Sequence, residues 1–318
     1  MPELRHDVLT GRLVLLASGR EARPVTFAPP RATTPAGGAR VCPFCPGHEH
    51  ETPPEVARAG PGEPDTPGWR VRVVPNLYPI VGGPDARPGA TGSHEVVVLS
   101  PDHDATYGDL DDDHATEVLT MLRERARVHT RDGRAHAQLL VNEGKAAGAS
   151  IEHPHAQVLA VDFVPPAVTV AVDRFAAVGS DPVLADRDDA IDREQAVLPG
   201  DQVAAWCPTG AASPYETRLA VTGAGPHFED ASDGAVLGAA IVLRDLLAAM
   251  GRVLDQPGQR LSYNVIVHNG PAAGADDYHW WIGIVPRVAV VAGFEMATAV
   301  LVNTVDPADA AQRLRAAL

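Results

Sequence analysis

The sequence predicts an α+β fold built from two tandem copies of one unit, and three observations carry that expectation. Short Val-rich runs bounded by Gly, Pro and Asn read as strands. Runs with apolar residues at helical spacing lie between pairs of these strands. The segment AAGASIEHPH (146–155) also returns as AAGADDYHWW (272–281), in one register and 126 residues on (272 − 146). A length of 318 residues accommodates one large domain or two ordinary ones, with ample apolar material for a core.

Taken in order, LVLLAS (13–18), RVRVVPN (70–76) and HEVVVLS (94–100) are strands, and the Pro-rich segments 24–35 and 60–67 are surface connections. SPDHDATYGDL leads into a helix whose periodic part is TEVLTMLRERARVHT (116–130). QLLVN (138–142) and AQVLAVDF (156–163) are strands flanking a small-residue loop. Residues 176–200 contain little apolar periodicity and read as an acidic linker, so the chain divides into halves at 1–175 and 176–318. In the second half AGPHFEDASDG (224–234), the helical run AVLGAAIVLRDLLAAM and YNVIVHNG (263–270) repeat the order of the first. His155 becomes Trp281 there, and Gln157 becomes Gly283. One working copy and one degenerate copy is the natural expectation.

The formal charge of −15 argues against a broad nucleic-acid or anionic-membrane surface, but allows a small phosphorylated ligand. No run reads as a membrane span, and MPELRHDVLTGR lacks the apolar core of a signal peptide. The expectation is a cytoplasmic protein without a nucleic-acid or membrane partner. Three cysteines give no even disulfide framework, and Cys207 reads as a small core residue.

The chemistry gathers in NEGKAAGASIEHPHAQ (142–157). On a strand, His153, His155 and Gln157 share one face. The preceding loop offers small residues whose backbone N–H groups can approach an anion, and Lys145, the only lysine in the chain, adds a charge suited to phosphate. Together these describe a nucleophile or base beside a phosphate cradle. Cys42-Pro43-Phe44-Cys45 has the spacing of a chelating thiolate pair, with His103 and His153 as candidate partners. A redox dithiol or plain packing are the alternatives.

An ordered set of motifs resembles galactose-1-phosphate uridylyltransferases of the histidine-triad superfamily, a resemblance that extends to ADP-glucose phosphorylases. The set is RLVLLASGREARP (12–24), CPFC, VPNLYP (74–79), HEVVVLSPDH (94–103), the 142–157 segment, and YHWWIGIVPR followed by AGFEMATAVLVNT. The resemblance implies two histidine-triad-like halves with mainly antiparallel sheet and flanking helices. It also implies ping-pong nucleotidyl transfer between a nucleoside diphosphate sugar and a sugar 1-phosphate through a nucleotidyl-histidine. A phosphorylase using orthophosphate as acceptor, or a non-catalytic nucleotide sensor, are the alternatives. By matching, His155 is the nucleophile, Gln157 bonds a non-bridging phosphoryl oxygen, and Ser150 is a phosphate-side contact. Asn142 matches a phosphate contact or serves as a loop cap. Arg20 and Arg23 match phosphate-side arginines or are surface charges. Asn76 matches a nucleoside contact or a turn residue.

The same matching aligns Cys42, Cys45, His103 and His153 with a structural zinc site. A homodimer is the expected assembly. Where many relatives read His-Trp-His-Ile-Glu, this chain reads His279-Trp280-Trp281-Ile282-Gly283, and a further family Glu falls near Ala171, so no second, iron site is expected. Glu295 matches a sugar-hydroxyl contact, or is a buried or helix-capping carboxylate. Leu77 replaces the uridylyltransferase Asp after Asn76, which leaves the base open and leans toward the adenylyl branch.

Overall fold

The fold is taken from a computed structural model, which describes residues 3–17, 42–83, 86–87, 89–178, 180–256 and 260–318. A hairpin of β1 (Glu3–His6) and β2 (Leu13–Leu16) comes first. The first repeat follows as β3 (Ala57–Ala59), β4 (Val71–Pro75), β5 (Gly92–Val98), α1 (Asp112–Arg131), β6 (His136–Glu143) and β7 (His155–Val161). Helices α2 (Pro166–Val178) and α3 (Pro182–Asp192) lead to the second repeat. This consists of β8 (Ala196–Leu198), β9 (Val203–Trp206), β10 (Thr217–Val221), α4 (Asp233–Leu254), β11 (Tyr263–His268) and β12 (Trp281–Pro286). The chain closes with α5 (Gly293–Thr298), β13 (Leu301–Asn303) and α6 (Pro307–Arg315).

Both repeats have the same element order and share one ten-stranded antiparallel sheet, β3-β4-β5-β7-β6-β11-β12-β10-β9-β8. The order is palindromic under the duplication, because β6 and β11 are equivalent strands and meet at the centre, with Val141 opposite Val265. The expected α+β architecture of two histidine-triad-like halves is therefore present.

Alternation along these strands sends Val71, Val73, Val97, Leu139, Val141, Val158, Val265 and Ile282 to one face, where α1 and α4 cover them in the main core. Local chemistry starts each helix at its observed residue. Asp111 accepts from the His114 N–H at α1, and Ser232 from the Ala235 N–H at α4. By length and composition α4 passes for a membrane span, with a mean hydropathy of 1.7, in contrast to the sequence expectation. The structure explains that composition otherwise: Val236, Leu243, Leu246, Leu247 and Met250 are buried against the sheet.

The second correction concerns residues 176–200, which are not a linker. They contain the end of α2, all of α3 and β8. Asp181 caps α3 by accepting from the Val183 and Leu184 N–H groups, and Pro182 occupies the first turn, where its missing N–H costs nothing. The apolar stripe of α3 is narrow (Val183 and Ala190) because the helix covers only part of the second half's free sheet face, so the periodicity is faint. Residue 175 lies inside α2, and Phe175 stacks on Tyr278 of the second half at 4.4 Å between ring centroids. The amino-terminal hairpin also packs there, since β2 pairs in parallel with β13 and Asp7 bonds Arg218 at 2.6 Å. The predicted strand LVLLAS is β2, ending at Leu16, and the Pro-rich segment 24–35 lies outside the described residues.

Candidate nucleotidyl-transfer site

Strand β7 presents His155 and Gln157 on the face away from α1 and α4. Pairing sets Gln157 between Val96 of β5 and Leu140 of β6, and His155 opposite Val98. One residue beyond the Val141–Ala156 pair, the same register sets Asn142 opposite His155. Phe44, Trp69, Val74, Val96 and Val98 form a small apolar cluster on this face.

His155 is 6% exposed and its Nδ1 lies 2.8 Å from the carbonyl oxygen of His153. A carbonyl only accepts, so Nδ1 carries the proton and the lone pair is on Nε2. Burial lowers the pKa below 6.5, the His153 carbonyl opposing only in part. The imidazole is thus neutral at pH 7, with its nucleophilic nitrogen specified.

His153 has the opposite tautomer. Its Nε2 donates to the Ser100 carbonyl at 2.7 Å, leaving Nδ1 unprotonated 3.7 Å from Cys42 Sγ and 3.6 Å from Cys45 Sγ. His103 Nδ1 completes the group, 3.3 Å from Cys45 Sγ. All four ligand atoms fall within 4.8 Å of one another, and such a set can hold a metal ion. Tetrahedral zinc with N and S ligands requires ligand atoms about 3.3–3.8 Å apart, from bond lengths of about 2.0–2.3 Å, so the donors present fit. Phe44, between the two cysteines, touches both rings, with centroids 5.5 Å from His155 and 6.1 Å from His153. Burial and the neighbouring Cys42 push the Cys45 thiol up to about 11, so loading a cation displaces protons.

Between Asn142 and Ser150 the loop makes one 3-10 turn, Lys145–Ala147, between two left-handed glycines, Gly144 (φ 77°) and Gly148 (φ 93°). At Gly144 a Cβ would sit 2.3 Å from Ser262 Oγ, so both conformation and space demand glycine. The N–H groups of Ala147, Gly148 and Ala149 bond to carbonyls of the loop itself. Lys145 and Ser150 are exposed and line a 540 Å³ cavity with His103, Glu143 and Arg260. Burial raises the Glu143 carboxyl there to about 7.

Three residues that sequence reasoning passed over stand at this site. His94 Nε2 lies 2.8 Å from Gln157 Oε1 and 3.1 Å from Asn76 Nδ2, and burial lowers its pKa. Asn264, from the second half, bonds Asn142. Phe44 buttresses both histidines. His94 and Phe44 sit inside matched motifs and Asn264 inside the repeat segment YNVIVHNG, so those segments were the available signal. Arg20 and Arg23 lie outside the described residues. Glu295 accepts from the Ala292 N–H at 3.0 Å and so caps α5, the second of its two sequence readings.

The degenerate half repeats this geometry with other chemistry. His279 Nε2 donates to the Val221 carbonyl at 2.9 Å, as His153 does to Ser100, but its Nδ1 meets Asp181 at 2.5 Å in place of thiols. Trp281 occupies the position of His155 and stacks on His268 at 3.6 Å and 7°. A Cβ at Gly283 would lie 3.1 Å from both rings, so a side chain in the second copy would have to push the stack aside. Arg218, held by Asp7 and Asp186 at 2.6 and 2.7 Å, covers Trp281. This site is filled by its own side chains.

Two pseudo-symmetric halves on one antiparallel sheet, with His-x-His-x-Gln on a central strand, define a histidine-triad-like protein. The chain resembles the galactose-1-phosphate uridylyltransferase family. Residues 86–165 match the family described as galactose-1-phosphate uridyl transferase, N-terminal domain. ADP-glucose phosphorylase of Arabidopsis thaliana is 29% identical over 99% of this chain and 92% of its own length. Galactose-1-phosphate uridylyltransferase of Streptomyces lividans is 26% identical over 85% of this chain and 70% of its own. The crystal structure of the Arabidopsis ADP-glucose phosphorylase with bound ADP-glucose superposes with a TM-score of 0.84 at 27% identity, covering 99% of both chains. Members of the family are nucleotidyltransferases or phosphorylases.

Proposed function

We propose that this protein transfers a nucleoside monophosphate from a nucleoside diphosphate sugar to a phosphate-bearing acceptor through a covalent adduct on His155. The observation that carries the proposal is the Nδ1–H bond to the His153 carbonyl, which leaves Nε2 as a buried, neutral nucleophile. In the first step Nε2 attacks the α-phosphorus and the bond to the sugar 1-phosphate oxygen breaks. The imidazole gains positive charge while keeping its Nδ1 proton, and the His153 carbonyl stabilises that charge. In the second step an oxygen of the acceptor attacks the same phosphorus, the N–P bond breaks and neutral His155 returns. Dividing the displacement in this way brings two polyanions to the site in turn. The Gln157 amide is positioned to donate to a non-bridging oxygen, and Lys145, Ser150 and Asn142 serve the phosphate side, with Asn76 on the nucleoside.

Among donors and acceptors, an ADP-sugar and orthophosphate are the pair we favour. The Arabidopsis ADP-glucose phosphorylase, similar over nearly the whole chain, supports this, as does Leu77 in place of the uridylyltransferase Asp. Transfer to a sugar 1-phosphate is the second reading, supported by the Streptomyces uridylyltransferase. The donor set at Cys42, Cys45, His103 and His153 supports a structural zinc ion, which would fix the strand carrying His155. The chemistry belongs to the first half (1–175), and the second half (176–318) shapes the sugar side. Glu295 caps α5 through Oε2, which leaves Oε1 for a sugar hydroxyl. A homodimer is supported by Leu77, Tyr78 and Ile80, which are 60, 81 and 73% exposed on one loop beside Asn76. Thiols free for ligation suit the reducing cytoplasm.

Incubation with ADP-glucose or UDP-glucose without acceptor, followed by intact mass measurement, tests the proposal. A nucleotidyl adduct is expected, absent in His155→Ala and discharged by phosphate. An adduct persisting in His155→Ala would remove His155 as nucleophile.

A further inference from the structure

Two side-chain amides, those of Gln157 and Asn142, face the proposed phosphoryl site from neighbouring strands, and each presents either an acceptor or two donors depending on its flip. The Asn142 flip follows from partners of fixed polarity, and the Gln157 flip follows from the tautomer of His94. The Ile80 backbone N–H donates to His94 Nδ1 at 3.3 Å, so the neutral ring carries its proton on Nε2. That proton takes the shorter contact, 2.8 Å to Gln157, whose atom there must be the carbonyl oxygen. The Asn76 Oδ1 accepts from the Tyr78 N–H at 2.8 Å, so its amide nitrogen faces the same His94 Nε2 at 3.1 Å as a second donor. It must turn its N–H aside, which leaves the shorter Gln157 contact as the acceptor of the ring proton.

On the other side, Asn264 Nδ2 donates to the Ala147 carbonyl at 3.0 Å, which fixes it as the nitrogen. Its second N–H points 2.7 Å to Asn142, whose atom there must again be oxygen. Gln157 Nε2 and Asn142 Nδ2 then have no hydrogen-bond partner among the described residues, although both side chains sit on the sheet face that carries His155.

We propose that His94 and Asn264 are positioning residues that lock the amides of Gln157 and Asn142 with their N–H groups turned toward the transferring phosphoryl oxygens. An amide in the opposite flip would set an oxygen lone pair against anionic oxygen, so the lock removes a repulsive state as well as supplying donors. Asn264 comes from the degenerate half, at the β6–β11 seam. The second copy therefore contributes to the working site, although its own nucleophile position is filled. The inference rests on the nucleotidyl-transfer reading for its consequence, and on hydrogen-bond polarity alone for the lock.

Single-turnover adduct formation from ADP-glucose, affinity for ADP, melting temperature and metal content are measured for Asn264→Ala, Asn264→Asp, His94→Leu and His94→Gln. Near-isosteric Asn264→Asp puts an acceptor where the donor was and turns the Asn142 amide around. It is expected to slow adduct formation at least tenfold more than Asn264→Ala, and to have no further effect when Asn142 is already Ala. His94→Leu is expected to slow the step about tenfold, and His94→Gln, which keeps an N–H near the Nε2 position, to recover most of that loss. A merely structural role predicts the reverse order at 264, the truncation being worse than the near-isostere. Equal rates for Asn264→Asp and Asn264→Ala, or full additivity with Asn142→Ala, would overturn the proposal. If the wild-type protein forms no adduct with either sugar nucleotide, the transfer reading fails separately. The lock is then decided by ADP affinity: weaker binding by Asn264→Asp than by Asn264→Ala supports it, and equal affinities overturn it.

Discussion

His155 carries one proton, and the place of that proton decides its chemistry. Held on Nδ1 by the His153 carbonyl, it leaves Nε2 free, while burial keeps the ring neutral to below pH 6.5. In the proposed transfer the neutral form attacks, so activity is expected above the folded-state pKa and is lost as pH falls through it. The pH profile of adduct formation is expected to show an acid limb with its midpoint below 6.5, and a midpoint above that value would contradict the burial argument. The pairing of His153 with His155 was legible in the sequence, because strand periodicity puts alternate residues on one side. The roles of His94, Phe44 and Asn264 were not. Each is a single residue with no spacing pattern, His94 lying 63 positions from Gln157, Phe44 111 from His155 and Asn264 122 from Asn142.

At the scale of elements, α3 shows how a helix with a faint pattern is still determined. Its start is set by Asp181 and Pro182, and the cap carboxylate doubles as the partner of the buried His279. Asp181→Ala should therefore lose two interactions at once, the cap and the histidine's partner, for about 2–4 kcal/mol of stability in denaturant unfolding. Asp181→Asn keeps the cap oxygen but puts an amide NH2 where Oδ2 met His279, so it should lose only the histidine's part. Equal losses would mean that the cap contributes nothing beyond the His279 contact. The carboxylate stands where the first half places thiols, so the second copy keeps the histidine and replaces the ligand set. Strand assignments held to within about two residues, because Val-rich runs between Gly and Pro have few other fates in a core. Residues 176–200 were misread because a helix lying flat over one sheet patch buries too narrow a stripe to stand out.

Across the whole molecule, the CPFC turn meets residues 103 and 153 through the ligand cluster and the Phe44 ring, spanning 111 positions from Cys42 to His153. A metal there would close a long loop and hold Phe44 against His155, so under the proposed function stability and transfer would share one cross-link. Chelation is expected to lower the melting temperature and slow adduct formation about 10–100-fold, with zinc restoring both. A chelated protein that melts and labels as before would show the cluster to be incidental.

The sequence by itself determined the α+β class, the duplication, the family resemblance and the four residues of the Cys/His cluster, because these rest on periodicity and on motifs whose residues lie close together or match as an ordered series. Only the tertiary structure decided that the halves share one sheet through β6 and β11, that the amino-terminal hairpin packs on the second half, and which way the site's amides face. Those facts depend on contacts between residues far apart in the chain, and on hydrogen-bond polarity that no local pattern encodes.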